Sequence, residues 1–106
     1  MAEVTYYPVC ATEDLPPGER LFLDIDTDPV VIFNIAGDYY AIADLCTHDM
    51  GPLGEGEVEG HQVICPRHGA RFDVRNGEVL TLPAVKGVAS YPVRVKAGMV
   101  EIGVDE

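Results

Sequence analysis

Four residues stand in two short, matching groups: Cys46-Thr47-His48 and Cys65-Pro66-Arg67-His68, with residues 49–64 between them. Each group supplies one thiol and one imidazole, the side chains that bind borderline and soft transition metals well. Brought face to face, the groups would form a four-ligand cage. A structural zinc ion is one reading, since zinc accepts two cysteines and two histidines. Its usual layout, however, places the cysteines on one element and the histidines on another. Here each group is mixed. A [2Fe–2S] cluster makes use of that symmetry: with Cys46 and Cys65 on one iron, His48 and His68 fall together on the other, the ligation in which two histidines replace two cysteines. The two-iron reading is preferred, and a zinc-binding interaction module is kept as the alternative. Cys10 and His61 lie outside the pattern and read as a core thiol and a satisfied or surface imidazole.

The elements that must position these groups have the period of strands. Val4–Cys10 reads as a first strand, followed by a loop with Pro16-Pro17-Gly18. Leu21, Leu23 and Ile25 alternate with Phe22, Asp24 and Asp26, as in a strand with one buried face. Val30–Ala36 and Tyr39–Ala43 flank Gly37-Asp38, a two-residue hairpin signal. From Asp44 to Gly60 the alternation fades and glycines appear at 51, 54, 56 and 60. His61–Cys65 and Arg71–Val74 read as short strands, with Asn76-Gly77 turning into a third over Glu78–Leu82. Ser90–Val95 and Met99–Val104 close the chain as a hairpin around Ala97-Gly98. Helical spacing is missing throughout, apart from a possible turn at Thr12–Leu15. The expected fold is all-β, an antiparallel sandwich forming a single domain over 1–106. A loop-rich, metal-binding subdomain over about 44–82 is inserted in its middle.

Composition narrows the partners. Eighteen acidic residues against seven basic ones leave a net charge of −11, which repels nucleic acid and anionic membranes and favours a basic protein partner. No basic start followed by an apolar run marks a secretory signal, and no apolar run approaches the ~20 residues needed to span a bilayer. Three cysteines do not make a disulfide framework, so a reducing cytoplasm is the expected setting.

With these residues in place, the chain resembles the Rieske proteins. The resemblance rests on Cys46-x-His48 and Cys65-x-x-His68, with Leu53, Cys65-Pro66, His68-Gly69 and Phe72-Asp73 around them and Tyr91-Pro92-Val93 near the end. It is strongest to the soluble ferredoxins of bacterial multicomponent ring-hydroxylating dioxygenases. It implies one [2Fe–2S] cluster held by Cys46, His48, Cys65 and His68, with the cysteine iron inside and the histidine iron near the surface. It also implies a monomeric carrier of single electrons, not an enzyme, moving them from a flavoprotein ferredoxin reductase to a terminal oxygenase. Docking is expected near the histidine iron, on a small apolar tip of Met50, Pro52, Leu53, Pro66 and Pro83. A small Rieske subunit of another oxidoreductase, such as a nitrite reductase, is the alternative within the family. Met50 departs from the small residue often found at its position.

The resemblance also separates two kinds of cluster. High-potential members carry a disulfide between the cluster loops and two hydroxyl residues beside the cluster. The matching positions here are Gly51 and Arg67 for the disulfide, and Ala70 and Phe72 for the hydroxyls. Reduction adds negative charge, so each missing donor disfavours it. A redox titration is expected to place the midpoint at the low end of the Rieske range, about −150 mV. A value above roughly +100 mV would contradict this reading of Ala70 and Phe72.

Overall fold

The computed structural model describes residues 3–47 and 51–105. Among them are ten strands and a single short 3-10 turn, Thr12–Asp14. In chain order the strands are β1 (Val4–Ala11), β2 (Arg20–Ile25), β3 (Asp28–Ile35), β4 (Asp38–Ala43) and β5 (Val58–Glu59). They continue with β6 (Gln62–Ile64), β7 (Arg71–Asp73), β8 (Ser90–Tyr91), β9 (Val93–Lys96) and β10 (Met99–Asp105). They form three antiparallel sheets with the orders β1-β10-β9, β2-β3-β4-β8 and β5-β6-β7. The all-β expectation holds. The third sheet lies in the chain between β4 and β8, both strands of the four-stranded sheet.

Strand β3 shows why three layers form. Val30, Val31, Ile32 and Phe33 are each no more than 2% exposed, so both faces of this strand are covered. Successive side chains point to opposite faces. Val30 and Ile32 accordingly join Leu15, Ala41 and Ile102 in one core, towards the β1-β10-β9 sheet. Val31 and Phe33 join Ile42, Leu53, Val63, Phe72 and the two motif cysteines in the other. The sequence signal for this is the unbroken apolar run itself, as expected of a strand buried on both faces. Each fully buried side chain of this size contributes about 1.5–3 kcal/mol, so β3 is the chief apolar link between the layers.

The turns refine several expectations. The β3–β4 hairpin turns at Ala36-Gly37, with φ of 54° and 95°, and pairs Ile35 with Asp38. The loop is therefore one residue earlier than Gly37-Asp38, because two consecutive positive φ values make the primed turn that suits twisted strands. Ala97-Gly98 does the same between β9 and β10, as expected. The anticipated strand Ser90–Val95 is split. Ser90 and Tyr91 pair with β4, whereas Val93–Lys96 pair with β10. Pro92, which has no N–H to donate, sits at the switch, and its carbonyl accepts from Gly103 N at 2.7 Å.

Glu78–Leu82 is not a strand either. It makes one bridge, Phe72 to Val79, after which Arg71 N is satisfied by the Thr81 hydroxyl at 2.9 Å. A side-chain acceptor thus ends the ladder. Gly77 must be glycine at the preceding turn: its φ is 80°, and a Cβ there would lie 2.0 Å from the Val88 carbonyl oxygen. The same turn contains buried Asp73. It accepts from Arg75 Nε and Nη2 at 3.0 and 2.9 Å, and from Arg75 N at 2.9 Å.

The bond from the Arg75 side chain is the main cause holding the Asp73 carboxyl below its ordinary value, against the opposing effect of burial. A depressed carboxylate contributes stability above its unfolded pKa of about 3.9, and that stability is lost as pH falls through the folded value. Asp73→Asn should therefore lower the urea midpoint at pH 7, with the gap from the parent closing below about pH 4. An unchanging gap across that range would exclude the Asp73 carboxylate as its source.

Candidate metal centre

The first motif leaves strand β4 through Asp44 and Leu45. Asp44 Oδ1 accepts from Leu53 N at 2.9 Å and from Gly54 N at 2.6 Å, closing the base of the loop. Arg20, on β2, grips the same segment from below, its Nη1 donating to the carbonyls of Gly54 and Gly56 at 2.5 and 2.7 Å. Its guanidinium also rests 5.1 Å from the centroid of the Phe33 ring. Gly56 fits only without a side chain, since a Cβ would lie 1.7 Å from the Ile64 carbonyl oxygen. Neither Arg20 nor Asp44 was anticipated as part of the site. Asp44 had a weak signal in its place just before the motif; Arg20, 26 positions from Cys46 (46 minus 20), had none.

The second motif is the turn between β6 and β7. Cys65 N donates to Ala70 O at 2.8 Å, and Gly69 N to Cys65 O at 2.9 Å, which folds residues 66–69 into a tight tip. Pro66, Arg67, His68 and Gly69 are all exposed on it. A third segment completes the surroundings. Ala84 is buried in the same core as the cysteines, and the Thr47 hydroxyl bonds to the Lys86 carbonyl.

Cys46 and Cys65 are 0% and 1% exposed and share one apolar core. Burial raises the Cys65 pKa, but the N–H groups of Arg67 and His68 outweigh it. Assisted by a hydrogen bond with the Cys46 side chain and by the Arg67 charge, they hold the thiol below its ordinary value. The pocket thus favours anionic sulfur in a dry setting. Of the four residues expected to act together, the structure brings the two cysteines side by side and puts His68 on the exposed tip above them. His48 and Met50 lie outside the described residues. Among the described residues no group of three or more Cys, His, Asp or Glu is gathered tightly enough to hold a metal ion.

Other expectations are adjusted by packing. Leu53 was expected on the apolar tip; it is fully buried beneath the cysteines, because the Asp44 bonds draw its backbone inward. Ala70 and Phe72 are also fully buried and bring no hydroxyl to the cysteines. Cys10 is partly buried against the other core, and His61 stands edge-on to Tyr40 with ring centroids 5.5 Å apart.

Two buried thiols beneath an exposed imidazole, on glycine-punctuated loops of an all-β fold, are donors suited to an iron–sulfur protein. Residues 5–92 match the model of the Rieske [2Fe–2S] domain, and the chain belongs to that family. It carries one [2Fe–2S] cluster, which decides between iron and zinc, and the donor chemistry around Cys46 and Cys65 fits that group.

The chain is 40% identical to the 3-phenylpropionate/cinnamic acid dioxygenase ferredoxin subunit of Escherichia coli (strain K12), over 99 residues that cover 92% of each. It superposes with a TM-score of 0.86 on the ferredoxin of carbazole 1,9a-dioxygenase from Nocardioides aromaticivorans IC177, at 33% identity over 92% of this chain and 96% of that one. A chain from the complex of reduced oxygenase and oxidised ferredoxin in carbazole 1,9a-dioxygenase gives a TM-score of 0.84 at 31% identity, covering 92% of this chain and 91% of that one. By these likenesses the protein is an electron-transfer component. Among the described residues no helix is long and apolar enough to cross a membrane.

Asp44→Ala removes the acceptor of two loop amides and should cost about 1–3 kcal/mol of stability, with Asp44→Asn intermediate. Chemical unfolding measures the cost, and faster hydrogen exchange at Leu53 and Gly54 would locate it.

Proposed function

We propose that the chain is a Rieske ferredoxin that accepts single electrons from a flavoprotein reductase and delivers them to the terminal oxygenase of a ring-hydroxylating system. The reading is of a monomer acting in the cytoplasm, with 1–106 as one domain and about 44–82 as its cluster-bearing subdomain. Cys46 and Cys65 are assigned to the inner iron, and His48 and His68 to the outer one. The observation that carries the reading is the contrast between fully buried Cys46 and Cys65 and the exposed His68 tip. An electron leaving through the imidazole side has a short path to a docked partner, while the sulfur side stays dry. The relatives named as dioxygenase ferredoxins support the choice of partner.

When bound, the cluster supplies a one-electron couple. The protein's own residues seat it, keep water from the thiols and shape the contact surface. That surface includes Leu82 and Val85, which are 75% and 81% exposed on either side of buried Ala84. Ala84 fixes the segment to the core of the site, so the two apolar side chains are held outward. Exposed apolar groups on a strongly acidic protein suit a transient partner with a basic rim.

Two measurements test the proposal. EPR of the reduced protein should show a Rieske signal. The reduced protein should also support turnover by a ring-hydroxylating oxygenase supplied with reductase. The double variant Leu82→Ser/Val85→Ser should raise the ferredoxin concentration needed for half-maximal turnover by about tenfold with an unchanged midpoint potential. A Rieske signal without electron delivery to any such oxygenase would move the protein to another oxidoreductase system.

A further inference from the structure

The side chain of Arg67 does not point away from the protein, although the residue sits on the exposed tip of the second motif. Its Nη1 donates to the Pro52 carbonyl, in the first loop, at 2.6 Å. Its guanidinium lies face-on against Gly51. A Cβ built on Gly51 would be 2.9 Å from both Cζ and Nη2, and 3.1 Å from Nε. Three guanidinium atoms at nearly one distance mean that the plane covers the glycine while its edge makes the hydrogen bond.

Both ends of this contact lead back to the cysteines. Gly51 O accepts from Cys46 N at 2.7 Å. On the other side, the backbone N–H of Arg67 bonds to Cys65. A continuous chain of contacts therefore runs from Cys46 through Gly51 and Arg67 to Cys65. Asp44 and Arg20 secure the base of the first loop at residues 53–56. Besides Cys65, which bonds to the Cys46 side chain, Arg67 reaches across to this loop from the second motif.

We propose that Arg67 is a positioning residue, whose guanidinium clasps the Gly51–Pro52 segment and holds the two motif loops in register. Gly51 is glycine so that the guanidinium can lie there. A planar fork suits the task, since it packs by its face and donates by its edge at once, which an ammonium cannot do. The inference rests on the ligand assignment proposed above, because a clasp matters to electron transfer only if both loops bear ligands.

The φ of Gly51 lies outside the left-handed region, so alanine is allowed there by its backbone, and the three atoms nearest its Cβ all belong to the guanidinium. Gly51→Ala should thus displace the clasp while leaving the arginine charge in the protein. The test uses the cluster-loaded protein and reads bleaching of its visible absorbance under excess chelator, together with EPR of the reduced state. Arg67→Ala should bleach about tenfold faster than the parent, the scale of one charge-assisted hydrogen bond. Arg67→Lys should recover only part of that loss.

Gly51→Ala should accelerate bleaching in the parent and add nothing in the Arg67→Ala background, since the two changes remove one contact. Altered g-values in both single variants are expected if the loops shift relative to each other. Bleaching of Arg67→Ala at the parental rate, or effects that multiply in the double variant, would overturn the proposal. If Arg67→Ala yields no loaded protein, Gly51→Ala decides alone, and a parental rate overturns the clasp. Absence of a Rieske signal in the parent would instead count against the proposed function.

Discussion

Two cysteines proposed to bind the cluster, Cys46 and Cys65, are held in an apolar core, and much of the structure answers the constraint that anionic sulfur there would impose. Burying charge without donors is costly, so the sulfurs need N–H groups aimed at them in the dry setting. The turn at Pro66–Gly69 supplies these to Cys65 from Arg67 and His68. A turn that tight cannot bury itself, so it stands on strands β6 and β7. Their apolar residues, Val63 and Phe72, rest in turn on Val31 and Phe33 of β3. The opposite face of β3 is occupied by the core that contains Ile102 of β10. The three layers are a graded support, from a conventional sandwich up to a site that could not fold unaided.

The first loop follows a different logic. It has little regular structure, and its glycines permit close approach of backbones where side chains would collide, as at Gly56 against Ile64. Apart from Leu53, such a segment gains little from its own burial. It is instead held by polar bonds from outside: Asp44 at its base, Arg20 from β2 and Arg67 from the opposing motif. Three charged side chains thereby satisfy backbone groups that a strand would have paired.

Exposure is distributed just as unevenly. The thiols are sealed, while His68 and the apolar side chains of Leu82 and Val85 face outward near them. Ala84 joins the two conditions, since one small side chain in the core fixes a segment whose neighbours are solvent-facing. In the proposed docking, the acidic surface would supply long-range attraction and the apolar residues short-range contact, a division suited to partners that must separate quickly.

The chemistry was legible in the chain because ligand identity is a local property. Two Cys/His pairs at their spacings favour a two-iron cluster over zinc, and the family match decides it. The all-β class was equally legible, since period-two alternation and Gly-rich turns are local too. Boundaries failed where long-range partners decide them. Pro92 splits a strand between two sheets, Thr81 ends a ladder with its hydroxyl, and Leu53 turns from an expected surface residue into core.

Arg20 and Arg67 mark the same limit. Nothing in the chain distinguishes a cation that grips a distant carbonyl from one that faces water, because the carbonyl it meets is chosen by how the layers pack. What the sequence by itself determined was the family with its [2Fe–2S] chemistry and the strand-based class. Only the tertiary structure decided which side chains hold the loops, since hydrogen bonds between residues far apart in the chain exist only once the chain has brought them together.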